Sequence, residues 1–215
     1  MRLIKIPLKD LRIMKKMGFK ELVPYTHDNN LVRWIFLRRL NTMLKLVGNY
    51  KNAERVLDFG AGSGIFMPSL SKNFKDVYAF DINISTLKYV KKKYKLKNVT
   101  ISTSDSNKLP YQDSFFDIIF AADTLEHFKD SYNIQKELKR ILKNEGYLII
   151  SGPTENFVYI LCRKIFYKYK KPLDHYTDIK NVMERTKELF KISKVKVLPN
   201  VLIRGFEVYR AIKRD

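Results

Sequence analysis

One cysteine, Cys162, stands among 215 residues. That excludes an internal disulfide and a zinc site built from cysteines. No apolar run approaches the roughly 18–20 residues of a membrane span; the longest, Phe157-Val-Tyr-Ile-Leu-Cys162, stops at Arg163. The opening Met1-Arg-Leu-Ile-Lys-Ile-Pro-Leu-Lys-Asp10 lacks the apolar core and small-residue cleavage site of a secretory signal. There is no internal repeat, no low-complexity tract and no Pro/Gly/Ser-rich linker. These absences predict a cytoplasmic chain that folds as one domain with an appendage. Acidic residues are also scarce: 22 Asp and Glu face 42 Lys and Arg, a formal net charge of +20.

What is present excludes wholesale disorder, because 45% of the residues are apolar and 13% aromatic. The charge is uneven. Residues 1–55 carry 13 basic and 4 acidic side chains, residues 56–150 carry 14 and 11, and residues 151–215 carry 15 and 7. The flanks are strongly basic and the middle is close to balanced. Attraction to a polyanion or to an anionic membrane surface is one consequence. Compositional drift in a lysine-rich chain is the competing explanation and ranks slightly ahead.

Apolar spacing predicts a short basic helix over residues 8–17, ending at Gly18, and a longer one over 31–47. In the second, Leu31, Trp34, Ile35, Leu37, Leu40, Leu44 and Val47 form one broad apolar face, with Arg33, Arg38, Arg39 and Lys45 mostly off it. Asn29 or Asn30 can cap its start and Gly48 its end. After Lys51, short apolar runs at 55–59, 76–80, 98–102, 116–121 and 146–151 alternate with helical stretches near 64–73, 84–94 and 131–143. Apolar strands separated by helices predict a parallel sheet covered on both faces. Two last strands, 193–198 and 204–212, are joined by a turn at Pro199-Asn200 and predict an antiparallel pair.

The strongest local signal is Val56-Leu-Asp-Phe-Gly-Ala-Gly-Ser-Gly64, which follows a buried strand and opens a helix. Gly60, Gly62 and Gly64 let the backbone turn tightly and approach a ligand with no Cβ in the way. Asp58 is placed to hold a cationic ligand group through water or backbone. The spacing is neither the dinucleotide Gly-x-Gly-x-x-Gly nor a phosphate-binding loop, since no Gly-Lys-Ser/Thr follows. Asp81 closes the second strand about 20 residues later, where an acid can bind ribose hydroxyls. Ser104-Asp-Ser106 and Lys108-Leu-Pro-Tyr111 follow the third strand, and the fourth runs into Ala122-Asp-Thr-Leu-Glu-His127.

This ordered set resembles the class I S-adenosylmethionine-dependent methyltransferases, in the small-molecule branch typified by ubiquinone-biosynthesis enzymes. The resemblance covers residues 53–152 and includes Leu109-Pro-Tyr, Phe115-Phe-Asp117 and Glu137-Leu-Lys-Arg-Ile-Leu-Lys-Asn-Glu-Gly146. It weakens through His175 to the last strand. It implies an α/β, Rossmann-like, seven-stranded and mostly parallel sheet with helices on both faces and a C-terminal antiparallel strand. An N-terminal helical extension or lid over 1–52 would precede a catalytic domain over 53–215. S-adenosylmethionine is the implied cofactor and no metal is implied. Gly60, Ala61 and Gly62 would face its methionine part, Asp81 its ribose, and Ile82 its adenine. Asp105 would accept from the adenine amino group, with Ser106 beside the ring, and Ala121 or Ala122 would offer a carbonyl to the methionine ammonium.

Methyl transfer needs alignment and exclusion of water, and a general base only where the acceptor is a weak acid. His127, after the fourth strand, is the first candidate base, against a packing role that ranks ahead of it. His175, in Pro172-Leu-Asp-His-Tyr-Thr-Asp178, is the second. His27 reads as an exposed loop residue, with a place in a lid as the alternative. No Asp/Asn-Pro-Pro-Tyr/Phe cluster follows the fourth strand and no Pro-Cys pair exists, which argues against several nucleic-acid methyltransferase classes. The segment 155–171 interleaves aromatics with cations. It reads first as a packed helix, then as an apolar lid, then as an interfacial membrane helix, and last as an RNA-stacking patch. The expected acceptor is a small or lipid-like molecule, with peripheral contact to an anionic membrane as a further expectation. An RNA methyltransferase and a non-catalytic basic binding protein are the alternatives.

Overall fold

The computed structural model describes residues 1–19, 22–48, 53–104, 108–157, 159–161, 176–200 and 204–214. The strands are β1 (Arg55–Phe59), β2 (Asp76–Phe80), β3 (Val99–Ser102), β4 (Phe116–Ala122), β5 (Leu142–Pro153), β6 (Phe190–Leu198) and β7 (Phe206–Lys213). They form one seven-stranded sheet in the order β3-β2-β1-β4-β5-β7-β6. β1 pairs in parallel with both β2 and β4, and β4 pairs in parallel with β5. β7 is antiparallel to β5 and to β6, so it is the one reversed strand. The strand order reverses at β1 and β4, and the crevice beyond their carboxyl ends is where open α/β sheets bind ligands.

The helices are α1 (Leu8–Lys16), α2 (Asn30–Val47), α3 (Met67–Asn73), α4 (Ser85–Lys93), α5 (Ser131–Ile141) and α6 (Ile179–Leu189). Alternate strand residues face opposite layers. Val56, Val77, Ile118, Phe120, Ile149 and Val208 pack with α1 to α4, while Leu57, Ile119, Leu148, Ile150 and Ala211 pack with α5 and α6. The N-terminal helices therefore supply core to the main sheet: Met14 of α1 and Leu40, Met43, Leu44 and Val47 of α2 share that first cluster. The Asn29 side chain caps α2 by accepting from the Leu31 amide at 2.8 Å, and Gly48 ends it at φ 62°. Arg210 of β7 donates to the Leu46 carbonyl at 3.1 Å, which ties the end of α2 to the sheet.

Three features depart from the sequence reading. α3 starts at Met67 rather than at Gly64, because the glycine loop continues to Phe66; Pro68 falls in the first turn, where its missing N–H costs nothing. α6 was not expected. Its apolar row Ile179, Val182, Met183 and Thr186 is short, and Asp178 caps it by accepting from the Asn181 amide. On α2 the buried row is Val32, Arg39, Leu40, Met43, Leu44, Leu46 and Val47. Arg39 is thus inside the fold, while Leu31 and Trp34, assigned to the apolar face, are 54% and 44% exposed.

Candidate active site

Backbone geometry fixes the glycine loop to the neighbouring strand. The Gly60 and Ala61 amides both donate to the Phe80 carbonyl, at 2.9 and 3.0 Å. Asp81, one residue beyond β2, accepts from the Gly62 amide through Oδ2 at 2.7 Å and from the Asn83 amide through Oδ1 at 2.9 Å. The acid expected to meet a ribose therefore also holds the loop closed, and each oxygen keeps a lone pair for a ligand.

The three glycines serve different ends. All have positive φ, near 70°, 50° and 70° for Gly60, Gly62 and Gly64. A Cβ on Gly60 would lie 2.2 Å from Thr124 Cγ2, and one on Gly64 would lie 2.9 Å from Met67 Sδ. Those two glycines permit internal packing. Gly62 alone would point a Cβ into open space, its nearest neighbour being the Gly60 carbonyl oxygen at 3.9 Å. Of the three, Gly62, next to Ala61, is the one where a side chain would have room, whereas a Cβ on Gly64 would meet Met67, Leu87 and Val90.

Asp58 is 2% exposed, and its Oδ2 has no hydrogen-bond partner among the described residues. Burial, reinforced by the Asp81 charge, pushes its carboxyl up to about 7. A buried carboxylate lacking a partner is costly, so this group is poised for a cation or a donor that the protein itself does not supply.

The β4 edge forms the opposite wall. Thr124 packs on Gly60 and donates its hydroxyl to Phe59 O or Ala122 O, each at 3.2 Å. Asp123, between Ala122 and Thr124, sits in the left-handed region at φ 51°, and its amide donates to Ser151 O at 2.9 Å. Its carboxylate forms an ion pair with Arg39 of α2, whose side chain is 3% exposed. Arg39 also donates to the Tyr25 hydroxyl at 2.9 Å and lies over the rings of Phe36 and Phe206. Arg39, Asp123 and Thr124 went unread in the sequence. The available signal was Arg39 at seven residues from Val32 and four before Met43, on the buried row of its helix.

Next comes a short 3-10 turn, Leu125–His127. The His127 amide donates to Thr124 O at 3.1 Å, which sets this half-buried histidine within one turn of the wall over Gly60. The Tyr176 amide donates to Glu126 O at 2.9 Å, so the chain returns to the same turn ahead of α6. His175 lies outside the described residues, as do Asp105, Ser106 and Cys162. Residues 158 and 162–171 of the aromatic and basic segment lie outside them too. His27 is a turn residue: its Nδ1 accepts from the Asn29 amide at 3.0 Å.

Ile82, just after Asp81, is 84% exposed. The Leu109-Pro-Tyr111 stretch is clamped from α5. Glu137 Oε1 accepts from the Leu109 amide at 2.8 Å, and Arg140 donates to Tyr111 O at 2.9 Å and to Glu137 and Asp113. Arg140 beside it holds the Glu137 carboxyl below the usual range. Asp117 plays a structural part at the other end of the sheet, accepting from the Glu54 and Arg55 amides and from Lys143. Among the described residues, no cluster of His, Cys, Asp or Glu could hold a metal.

These features fit S-adenosylmethionine. The molecule carries an ammonium, a sulfonium, a ribose and a flat purine. The site offers the partnerless Asp58, the open approach at Gly62, the Asp81 carboxylate and an exposed aliphatic side chain at Ile82. It offers no phosphate cradle.

Comparison with known proteins agrees. Residues 57–150 match the family model described as a methyltransferase domain. The chain is 30% identical over 156 residues to a demethylmenaquinone methyltransferase of Staphylococcus saprophyticus, covering 69% of this chain and 66% of that protein. It is 31% identical over 120 residues to a malonyl-[acyl-carrier protein] O-methyltransferase of Marinomonas sp., covering 54% and 43%. The chain thus spans about two thirds of the first of these curated relatives and under half of the second. The fold is shared with the N-methyltransferase NodS of Bradyrhizobium japonicum in complex with S-adenosyl-L-homocysteine. Its TM-score is 0.72 at 14% identity, over 97% of this chain and 98% of that one. The family match begins inside β1 and ends inside β5, and so encloses the glycine loop, Asp81 and the β4 edge; with that loop and sheet order, the chain belongs to the class I S-adenosylmethionine-dependent methyltransferases.

Proposed function

We propose that this protein transfers a methyl group from S-adenosylmethionine to a small-molecule or lipid-like acceptor at the carboxyl edge of β1 and β4. The partnerless Asp58 carboxyl beneath an Asp81-pinned glycine loop carries the reading. When bound, the cofactor supplies a carbon already activated for displacement by its sulfonium. The chain's own residues bind and align. Asp81 and Ile82 would hold the nucleoside, and Asp58 and the Ala122 carbonyl would lie on the side of the methionine ammonium. The Thr124 and Arg39–Asp123 wall fixes that carbonyl in place. Beyond this wall, Phe36 and Tyr159 each meet Phe206 edge to face and add an apolar border.

The relatives' names support a small acceptor. Two of them name a demethylmenaquinone and a 2-methyl-6-phytyl-1,4-hydroquinone, and a third names a malonyl group carried on an acyl-carrier protein. An assay with labelled methyl donor against these three acceptor types tests the reading, and calorimetry with S-adenosylhomocysteine tests the site. Asp81→Ala should weaken that binding by about 1–3 kcal/mol, the range of a lost charged hydrogen bond. Unchanged affinity in this variant would remove Asp81 from the site.

We infer further that His127 accepts the proton of a hydroxyl acceptor, on the strength of its place one turn after Thr124. A positioned imidazole is worth at least about a hundredfold in such a step. His127→Ala should therefore lower turnover about a hundredfold and leave S-adenosylhomocysteine affinity unchanged. Turnover within about threefold of the parent, under 1 kcal/mol of barrier, would leave the work to alignment alone.

A further inference from the structure

We propose that α1 and the first turns of α2 form a docking face for an anionic lipid bilayer. The observation is an exposed apolar row bordered by cations on two adjoining elements. Ile13 and Met17 at the end of α1 are 41% and 53% exposed, and Leu31 and Trp34 of α2 are exposed as well. Arg12 of α1 is paired with Asp28 at 3.4 Å, two residues before α2 begins, which ties the exposed side of α1 to the start of α2. Lys9, Lys15 and Lys16 are exposed along α1, and the Arg38 guanidinium lies over the Trp34 ring at 4.7 Å. Asp10, the one acid of α1, is paired with Lys93 at 2.9 Å and accepts from the Tyr94 hydroxyl at 2.6 Å. The outward surface of α1 thus presents cations and aliphatic groups.

The chemistry favours a bilayer over other occupants. Three of the four exposed apolar side chains, Ile13, Met17 and Leu31, have no π-face for a base to stack on, and the one aromatic, Trp34, already has the Arg38 guanidinium over its ring, whereas RNA-binding grooves rely on several aromatic and guanidinium planes. Aliphatic side chains gain by leaving water for a hydrocarbon boundary, and a basic rim adds attraction to anionic headgroups. A second copy of a chain with net charge +20 would be repelled at low salt. The buried side of α2, where Arg39 pairs with Asp123, reaches the site, while Leu31 and Trp34 stand on its exposed side, so the docking does not rest on the methyl-transfer reading.

The protein contains a single tryptophan, Trp34, which makes insertion directly readable. With vesicles of phosphatidylglycerol and phosphatidylcholine at low salt, Trp34 emission should shift to the blue and be quenched by brominated lipid. Cosedimentation should exceed that with pure phosphatidylcholine by about tenfold and fall away at about 0.5 M salt. Ile13→Ser combined with Leu31→Ser, both at exposed positions, should lower partitioning about fivefold with melting unchanged. Asp81→Ala should bind vesicles like the parent, which separates this result from failure of the cofactor reading. Three outcomes would overturn the proposal. One is cosedimentation with no change in Trp34 emission. Another is a Trp34 response to RNA that vesicles do not produce. The third is a low-salt dimer abolished by Trp34→Ser.

Discussion

Replacing Arg39 by methionine is expected to lower the unfolding free energy by about 3–5 kcal/mol, the cost of breaking a buried ion pair by removing one partner. Methionine retains much of the packing volume against Phe36 and Phe206, so the loss is chiefly electrostatic. Asp123 would be left without its guanidinium in a pocket where its side chain is 25% exposed, at a backbone φ of 51° that a non-glycine residue adopts at a cost. The Tyr25 hydroxyl would lose its donor as well. Combining Arg39→Met with Asp123→Asn should recover part of the loss, since the pair as a whole is worth less than either half-removed state. Urea unfolding of both single variants and the double variant measures this. Arg38→Met, one position away on the exposed face, is the control and should change stability by less than about 0.5 kcal/mol. Because Asp123 lies between Ala122 and Thr124, Arg39→Met should also weaken S-adenosylhomocysteine binding, and Arg38→Met should not. A single-variant loss under about 1 kcal/mol would mean that the pair contributes nothing beyond its neighbours' packing.

Much of the architecture was legible because strands buried on both faces leave an unmistakable apolar record. β1 to β5 fall on the five short apolar runs, and the antiparallel β6–β7 pair falls where the last two strands were expected, joined by residues 199–205 rather than by Pro199-Asn200 alone. The glycine loop and Asp81 were legible for a related reason: a positive φ and a strand-end acid are written in single residues. What stayed hidden depends on which neighbour a residue meets. Nothing local tells Gly62, which opens outward, from Gly64, which packs on Met67 and Leu87. Arg39 was misplaced because a cation on an apolar row looks like a snorkelling surface residue until Asp123 is brought to it from 84 positions away. The same error in phase set Leu31 and Trp34 inside α2 when they stand outside it. α6 escaped because its buried row is broken by Thr186, a polar residue whose hydroxyl is satisfied only by the Val182 carbonyl and Gln135 of α5.

Asp58→Asn is expected to stabilise the ligand-free protein at pH 8 while weakening cofactor binding, and both effects should depend on pH. Burial, and then the charge of Asp81, raise the Asp58 carboxyl from an ordinary 3.8 to about 7. Between those values the folded protein holds a proton that the unfolded chain has released. Stability therefore falls as pH rises through that window and is level above about pH 7. A displacement of this size corresponds to roughly 3–5 kcal/mol by pH 8. Asparagine carries no charge to desolvate, so the variant should lack this slope and gain up to that amount at pH 8, with no gain below about pH 4. Binding should show the opposite preference. A cationic group beside Asp58 favours the carboxylate, so parent affinity for S-adenosylhomocysteine should rise with pH to about 7 and then level, with proton release on binding below that point. In Asp58→Asn that slope and the proton release should both disappear. Thermal melts from pH 4 to 8 and calorimetry in buffers of different ionisation enthalpy read the two arms separately. Parent stability that rises between about pH 4 and 7, with pH-independent binding, would show that Asp58 is ionised and partnered in the ligand-free fold.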